Sequence, residues 1–166
     1  ILVTKPFQLG DLVETADGLG TVKEISLTFT KLETPDGLWL MTPNSVLSSG
    51  KITNYTALGR RRAEIRVGAS YDAAVSDVRA ACLDAAARVP GVLPDPAPIV
   101  YVDSYGESSI SYIVRVWCRS EDYTDVYYGL TEGLKAAFDE HGVEMPYNHL
   151  NIHILDQTEQ KEKQTV

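Results

Sequence analysis

The sequence predicts two units in series: a small all-β barrel or sandwich over residues 5–58, then an α+β ferredoxin-like sandwich of order βαββαβ over residues 59–155. Three observations predict it. In the first third, apolar and polar residues alternate in short runs between turn residues. After Leu58-Gly59 the period changes, and two helical stripes then interrupt further runs of period two.

In the first unit, LVETADGLGTVKEISLTFTKLETPDGLWLMTP holds two hairpin signals, Asp17-Gly18 and Asp36-Gly37, because the turn they favour needs positive φ at its centre. Val22, Ile25 and Leu27 share a face only if the phase breaks near Lys23-Glu24, so a bulge in a strongly curved sheet is expected. Leu38, Trp39, Leu40 and Met41 are apolar on both faces of a strand. One face packs inside a small barrel, and the other needs something else to cover it. Pro43 has no N–H for a ladder and Asn44 tolerates turn conformations, so the strand ends there. SVLSSGKITNY then supplies a turn of helix and a final strand.

In the second unit, AEIRVG reads as a strand with Ala63, Ile65 and Val67 on one face. Asp72 is expected to cap a helix whose stripe is Val75, Val78, Cys82, Ala85 and Val89, closed by Pro90-Gly91. A Pro-led strand, PDPAPIVYVDSYG, and a long one, SISYIVRVWCRS, follow, the latter turning Ile110, Tyr112, Val114, Val116 and Cys118 inward. A helix from Thr124 to His141 carries Tyr127, Leu130, Leu134, Ala137 and Phe138 and ends at Gly142. HLNIHIL is the last strand, and residues 156–166 form a polar tail. Opposite the core, Ile113, Arg115 and Trp117 share the uncovered sheet face. Ile113 and Trp117 exposed there imply a partner.

Charge excludes some functions. The chain of 166 residues has a formal net charge of −8, split −2, −5 and −1 over residues 1–58, 59–155 and 156–166. Nucleic acid is not expected as a partner, because binding it takes clustered bases to displace counterions. The Arg60-Arg61-Arg62 cluster reads as a salt-bridged linker at the boundary. Cys82 and Cys118 fall within apolar patterns and read as reduced core thiols in a cytosolic setting. No window has the ~18 continuous apolar residues of a membrane span. The chain opens Ile1-Leu2-Val3 without an initiator Met, which reads as a fragment.

No catalytic motif, cofactor loop or metal spacing is present. His149 and His153 on one strand stand ~13 Å apart, too far to share a metal. His141 suits the negative end of its helix. Gly18-Leu19-Gly20 lies in a hairpin and opens no helix, so it is no dinucleotide fingerprint. Glu121-Asp122 with Asp125, and Asp139-Glu140, read as solvated faces. No enzyme activity, cofactor or metal is expected.

These segments resemble one family. KPFQLGDLVE and GLGTVKEISLTFTKLETPDGLWLMTPNSVL are similar to the signature of small-conductance mechanosensitive (MscS-like) channels: "RPF-x-x-G-D", "G-x-V-x-x-I-x-x-x-x-T" and "D-G-x-x-x-x-x-P-N". The matching residues are Pro6, Phe7, Gly10 and Asp11; Gly20, Val22, Ile25 and Thr30; and Asp36, Gly37, Pro43 and Asn44, with Lys5 where Arg is usual. Downstream, Val114-Arg115-Val116-Trp117, Tyr127 and Pro146 match the carboxy-terminal domain of the same family.

The resemblance implies an Sm-like β domain and a homoheptamer in a bacterial inner membrane. Residues 1–4 would end a pore-lining transmembrane helix, and the rest would enclose a cytoplasmic vestibule that ions and small solutes cross. The intact protein would open under membrane tension in hypo-osmotic shock. Leu38, Trp39, Leu40, Met41, Ile113 and Trp117 are the candidate subunit interface, and Glu64 the candidate portal residue. The alternative is a soluble ring-forming binding module, Sm-like or ligand-sensing.

Overall fold

The structure is a computed structural model that describes residues 6–150. The first unit is a five-stranded antiparallel sheet of order β4-β3-β2-β1-β5. Its strands are β1 (Leu12–Thr15), β2 (Gly18–Ile25), β3 (Phe29–Glu33), β4 (Trp39–Pro43) and β5 (Thr53–Asn54). A short helix, α1 (Asn44–Ser49), joins β4 to β5. Both hairpins form, the first with Thr15 opposite Gly18. The second is a looser loop in which Thr34 exchanges hydrogen bonds with Leu38 around Gly37, whose φ is 83°.

The ladder between β2 and β3 slips between Val22 and Glu24, leaving Lys23 as the extra residue of a bulge. The slip keeps Val22 and Ile25 on the core side, with Phe7, Val13, Leu32 and Leu47. Leu27 breaks the expected pattern: it lies in the β2–β3 loop, 81% exposed, because β2 has already ended at Ile25. The sheet curls far enough for β4 to meet the β1–β2 hairpin. Buried Thr42 donates its hydroxyl to Asp17 at 2.8 Å, and a Cβ on Gly18 would lie 3.3 Å from Leu40.

The second unit is a three-stranded antiparallel sheet of order β6-β8-β7, from β6 (Arg60–Ala69), β7 (Ile99–Tyr105) and β8 (Ile110–Arg119). Helices α2 (Val75–Arg88) and α3 (Tyr123–Glu140) cover one side. The run β6-α2-β7 with β8 between its strands is a split βαβ. Of the expected last strand, His149 and Leu150 have no regular structure, and residues 151–155 lie outside the described residues.

Three expectations need correction here. The strand begins at Arg60, so the three arginines are strand residues and not a linker. Asp72 caps nothing: Ala74 occupies the N-cap, and the Asp72 N–H instead bonds the Ser70 hydroxyl in the turn before it. The buried stripe of α2 is Val78, Ala81, Cys82, Ala85 and Ala86, with Val75 exposed at its first turn. Those small residues let α2 lie close to α3, where Gly129 and Gly133 receive Val89.

Helix α3 ends as its sequence dictates. Gly142 takes φ 67°, its N–H bonds Asp139, and the Val143 N–H bonds Phe138, so two terminal carbonyls are satisfied and Val143 is buried. The core holds Ile65, Val114, Val116, Leu130 and Phe138 around Tyr112, whose hydroxyl has no hydrogen-bond partner among the described residues. Cys82 and Cys118 are free and fully buried. Burial pushes the Cys82 thiol up to about 12 and raises Cys118 as well. Neither thiol forms thiolate near neutrality, so a disulfide-exchange reagent at pH 8 should label neither cysteine in the native protein and both after denaturation. Stoichiometric labelling of the native fold would contradict this packing.

Candidate functional site: a motif-built frame and two uncovered faces

The motif residues do structural work, each at a different joint. Asp11 accepts three hydrogen bonds: from the Gln8 N–H at 2.8 Å, the Asn54 amide at 2.8 Å and the Thr56 hydroxyl at 2.9 Å. One carboxylate thereby ties the start of the β unit to its end. Partial burial pushes the Asp11 carboxyl up, but the bonds from Asn54, Gln8 and Thr56 outweigh it and hold the group below its ordinary value. Gly10, at φ 90°, makes the turn that sets its N–H on the Val22 carbonyl, while the Val22 N–H returns to Asp11. Phe7 is buried in the core beside Val22, and Pro6 precedes it in an exposed position.

Asn44 is the second joint. Its side-chain oxygen accepts from the buried Thr30 hydroxyl at 2.8 Å, while its amide donates to the carbonyls of Ser26 and Leu27 and its N–H to that of Thr28. Pro43 ends β4 opposite Phe29 and so delivers Asn44 to that loop. Gly20 is required by space, since a Cβ there would stand 2.8 Å from the Leu32 Cβ. Asp36 bonds Thr34 in the loop that Gly37 turns. Among the described residues no three His, Cys, Asp or Glu side chains are placed to hold a metal.

The first uncovered face belongs to β4, an edge strand of its sheet. Leu40 and Thr42 point inward, whereas Trp39 and Met41 point outward, 55% and 60% exposed, and Leu38 is exposed in the loop before them. The Lys31 ammonium sits 3.7 Å above the Trp39 ring and Lys23 pairs with Glu33, so a charged border flanks the apolar patch.

The second is the side of the β6-β8-β7 sheet away from the helices. Glu64 lies there between two arginines, its carboxylate 2.6 Å from Arg62 and 3.0 Å from Arg115 Nε; the latter is a coulombic contact outside hydrogen-bond geometry. The Arg115 guanidinium also lies over Tyr101, and that of Arg60 over Trp117. Ile113 is buried, contrary to expectation. Its neighbours across the sheet are Arg66 and Tyr101, and Arg66 reaches past it to pair with Asp103 on the far strand. Trp117 is half-buried beneath Arg60 for the same reason: long arginine stems cover the apolar rows they flank.

Between the units, the Arg61 guanidinium lies 3.5 Å from the Tyr123 ring centre and 4.7 Å from that of Tyr55. Ser120 adds two bonds, from its N–H to Gly59 and from its hydroxyl to Tyr55. His141 does more than sit at a helix end: its ring nitrogen is 3.0 Å from Asp84 on α2. Hydrogen bonds from His141 and Arg88 hold the Asp84 carboxyl below its ordinary value, and Arg88 reaches on to Glu140.

This two-unit frame matches known proteins along most of its length. Residues 1–57 match the family model described as "Mechanosensitive ion channel, beta-domain", and residues 63–145 match "Mechanosensitive ion channel MscS, C-terminal". The chain belongs to the MscS mechanosensitive channel family. It is 30% identical over 154 residues to the small-conductance mechanosensitive channel of Edwardsiella ictaluri, covering 93% of this chain and 54% of that protein. It is 32% identical to an uncharacterized MscS family protein of Archaeoglobus fulgidus, covering 89% of this chain and 52% of that one. The crystal structure of Helicobacter pylori MscS in its closed state superposes with a TM-score of 0.86 at 27% identity, over 94% of this chain and 62% of that one. The chain thus spans about half the length of the curated relatives it matches.

Within this MscS family chain, several joints carried no local signal. Asn54 and Thr56 become partners of Asp11 from more than 40 residues away, and Asp17 meets Thr42 only because the sheet curls. Arg61 was legible in part: of three consecutive arginines in a strand, the middle one must point to the opposite face.

The Asp11 joint has a pH signature. A carboxyl depressed by folding stabilises the native state above its unfolded pKa of ~3.9, and that contribution is lost as pH falls through the lower folded value. Asp11→Asn should therefore cost about 1–2 kcal/mol at pH 7, and the gap to wild type should close below about pH 3. Urea denaturation at both pH values checks it, and a gap independent of pH would rule out the carboxylate as the joint.

Proposed function

We propose that this chain is the vestibule-forming part of a tension-gated channel that releases ions and small solutes in hypo-osmotic shock. The observation that carries the reading is the match of both units, in order, to the two MscS models and to the Helicobacter pylori channel structure. No helix among the described residues is long and apolar enough to cross a membrane, so the gate would lie in segments outside them. In this reading residues 1–4 end a pore-lining helix in a bacterial inner membrane, and the two units hang beneath it on the cytoplasmic side.

The β unit would take an Sm-like form, with seven copies making a closed ring. A heterologous contact that repeats by rotation closes such a ring, and the exposed edge at β4 offers one. Trp39 and Met41, with Leu38 beside them, supply apolar area that water now covers. The α+β unit, a ferredoxin-like sandwich, would wall the vestibule. Tension then favours the open state in proportion to its added in-plane area, and the ring's task is to keep the pore helices in register. Glu64, held between Arg62 and Arg115, reads better as a brace of its sheet than as a free portal charge.

Suction applied to vesicles containing the full-length protein should elicit channel openings whose probability rises steeply with tension; silence at lytic tension would refute the reading. Trp39→Asp in the full-length protein should break the purified assembly into smaller species by light scattering. An assembly of unchanged mass would remove β4 from the interface.

A further inference from the structure

The chain between α2 and β7 encloses a space that the packing of the core leaves open. Residues 89–98 lead away from the end of α2. The Leu93 N–H bonds the Trp117 carbonyl at 2.7 Å and Val92 bridges Cys118, so this part of the loop is tied to the end of β8. Pro94, Pro96 and Pro98, each with its φ fixed, then carry the chain in an arc to Ile99, where β7 begins. Facing the arc, α2 presents Ala86 and Ala87, whose side chains are too short to fill the gap. The result is a cavity of about 530 Å³, lined by Leu83, Ala86 and Ala87 on the helix side and by Val92, Pro94 and Pro98 on the loop side. No polar or charged side chain is among its lining residues. The volume falls within the ~300–1,000 Å³ of small-molecule sites, and a lining of this kind selects hydrocarbon. Leu83, on its wall, is 43% exposed, so the cavity opens to water.

A positive charge stands beside this cavity. Arg79 precedes Leu83 by four residues and Ala86 and Ala87 by seven and eight, so all four share one face of α2. At ~1.5 Å per residue, Arg79 and Ala87 are ~12 Å apart along the helix axis. Arg79 is exposed and forms no ion pair among the described residues, whereas Arg88 at the other end of α2 is held by Asp84 and Glu140. Burial raises the Tyr112 hydroxyl above its ordinary value, Tyr105 adds to this and Arg79 opposes it, so Arg79 lies toward β7 and β8. The one acid of the loop, Asp95, is not among the lining residues.

We infer that the cavity between α2 and β7 is a binding site for a free medium-chain fatty acid, whose chain lies in the cavity and whose carboxylate pairs with Arg79. Hydrocarbon walls beside one uncompensated guanidinium fit an amphipathic anion: the walls remove the chain from water, and the arginine takes the two carboxylate oxygens. The distance sets the length, since at a C–C bond of ~1.5 Å a zigzag chain covers ~12 Å in about ten carbons. Because the cavity opens to water, the ligand arrives dissolved and not as a lipid of a bilayer. The site lies within one α+β unit and does not depend on how copies assemble.

Photo-crosslinking tests this on the full-length protein in lipid nanodiscs, with decanoate carrying a terminal diazirine as the probe and peptide mapping by mass spectrometry. Label should fall on residues 83–98. Competition by unlabelled acids at matched free concentration should strengthen about fourfold per methylene from hexanoate to decanoate, the worth of each buried CH₂. Ala87→Trp and Ala97→Trp, which fill the cavity from opposite walls at exposed positions, should each abolish the label. Arg79→Gln should weaken competition by decanoate about fivefold and leave competition by decanol unchanged. Label that falls elsewhere, that no acid displaces, or that both tryptophan variants leave untouched with native circular dichroism would overturn the site, with the channel reading unaffected. Equal weakening of acid and alcohol by Arg79→Gln, or no weakening of either, would overturn the pairing with Arg79.

Discussion

The carboxylate of Asp11 is the constraint on which the rest of the β unit depends. It faces Gln8 on one side and Asn54 and Thr56 on the other, so the points where the chain enters and leaves the sheet are held against one group. Five residues beyond Thr56, Arg61 lies between Tyr55 and Tyr123 and passes the fixing on to α3. A displacement applied at residue 8 therefore reaches the α+β unit through two short polar joints, with no long loop to absorb it. In the ring proposed above, that stiffness would keep the pore helices in register.

Curvature is the second requirement, and it has two local causes. The bulge at Lys23 bends β2, and the bare Cα of Gly20 lets β3 come in where any Cβ would collide with Leu32. The curl brings Thr42 to Asp17, and these two side chains satisfy each other far from solvent on the Thr42 side. Once curled, a sheet of five short strands has one small interior, which Phe7, Val13, Val22, Leu32 and Leu47 fill. Trp39 and Met41 are left outside because alternation along β4 turns Leu40 and Thr42 inward, so their exposure follows from the strand's register.

What was legible in the sequence was what periodicity and turn chemistry encode. The two hairpins, the bulge near Lys23, the stop at Pro43-Asn44 and the α3 terminus at Gly142 could all be read locally, since each depends on residues within a few positions of one another. Exposure on the open sheet face could not. Alternation places Ile113 opposite the core correctly, but its burial is decided by Arg66 and Asp103, which come from two other strands. The arginine cluster failed for a related reason: charge density suggested a linker, while ladder pairing with Arg119, Cys118 and Trp117 made it strand. Asp72 lost its capping role because the turn closes on Ser70, two residues before it, and the helix starts three residues later.

The two uncovered faces would contribute unequally to the proposed assembly. Copies of a chain carrying −8 repel one another beyond a Debye length of ~8 Å at physiological salt, so association has to overcome a like-charge barrier. An apolar contact at β4 supplies affinity but little orientation, because water release is nearly indifferent to the angle of approach. The open sheet face adds little free charge, because Arg62 and Arg115 pair with Glu64, Arg66 with Asp103, and Arg119 with Glu121 and Asp122. Orientation would instead come from the rotation that closes the proposed ring, in which each copy gives one surface to one neighbour and a different surface to the next. On that reasoning the β4 contact would be heterologous, with Trp39 and Met41 meeting a different surface on the neighbouring copy.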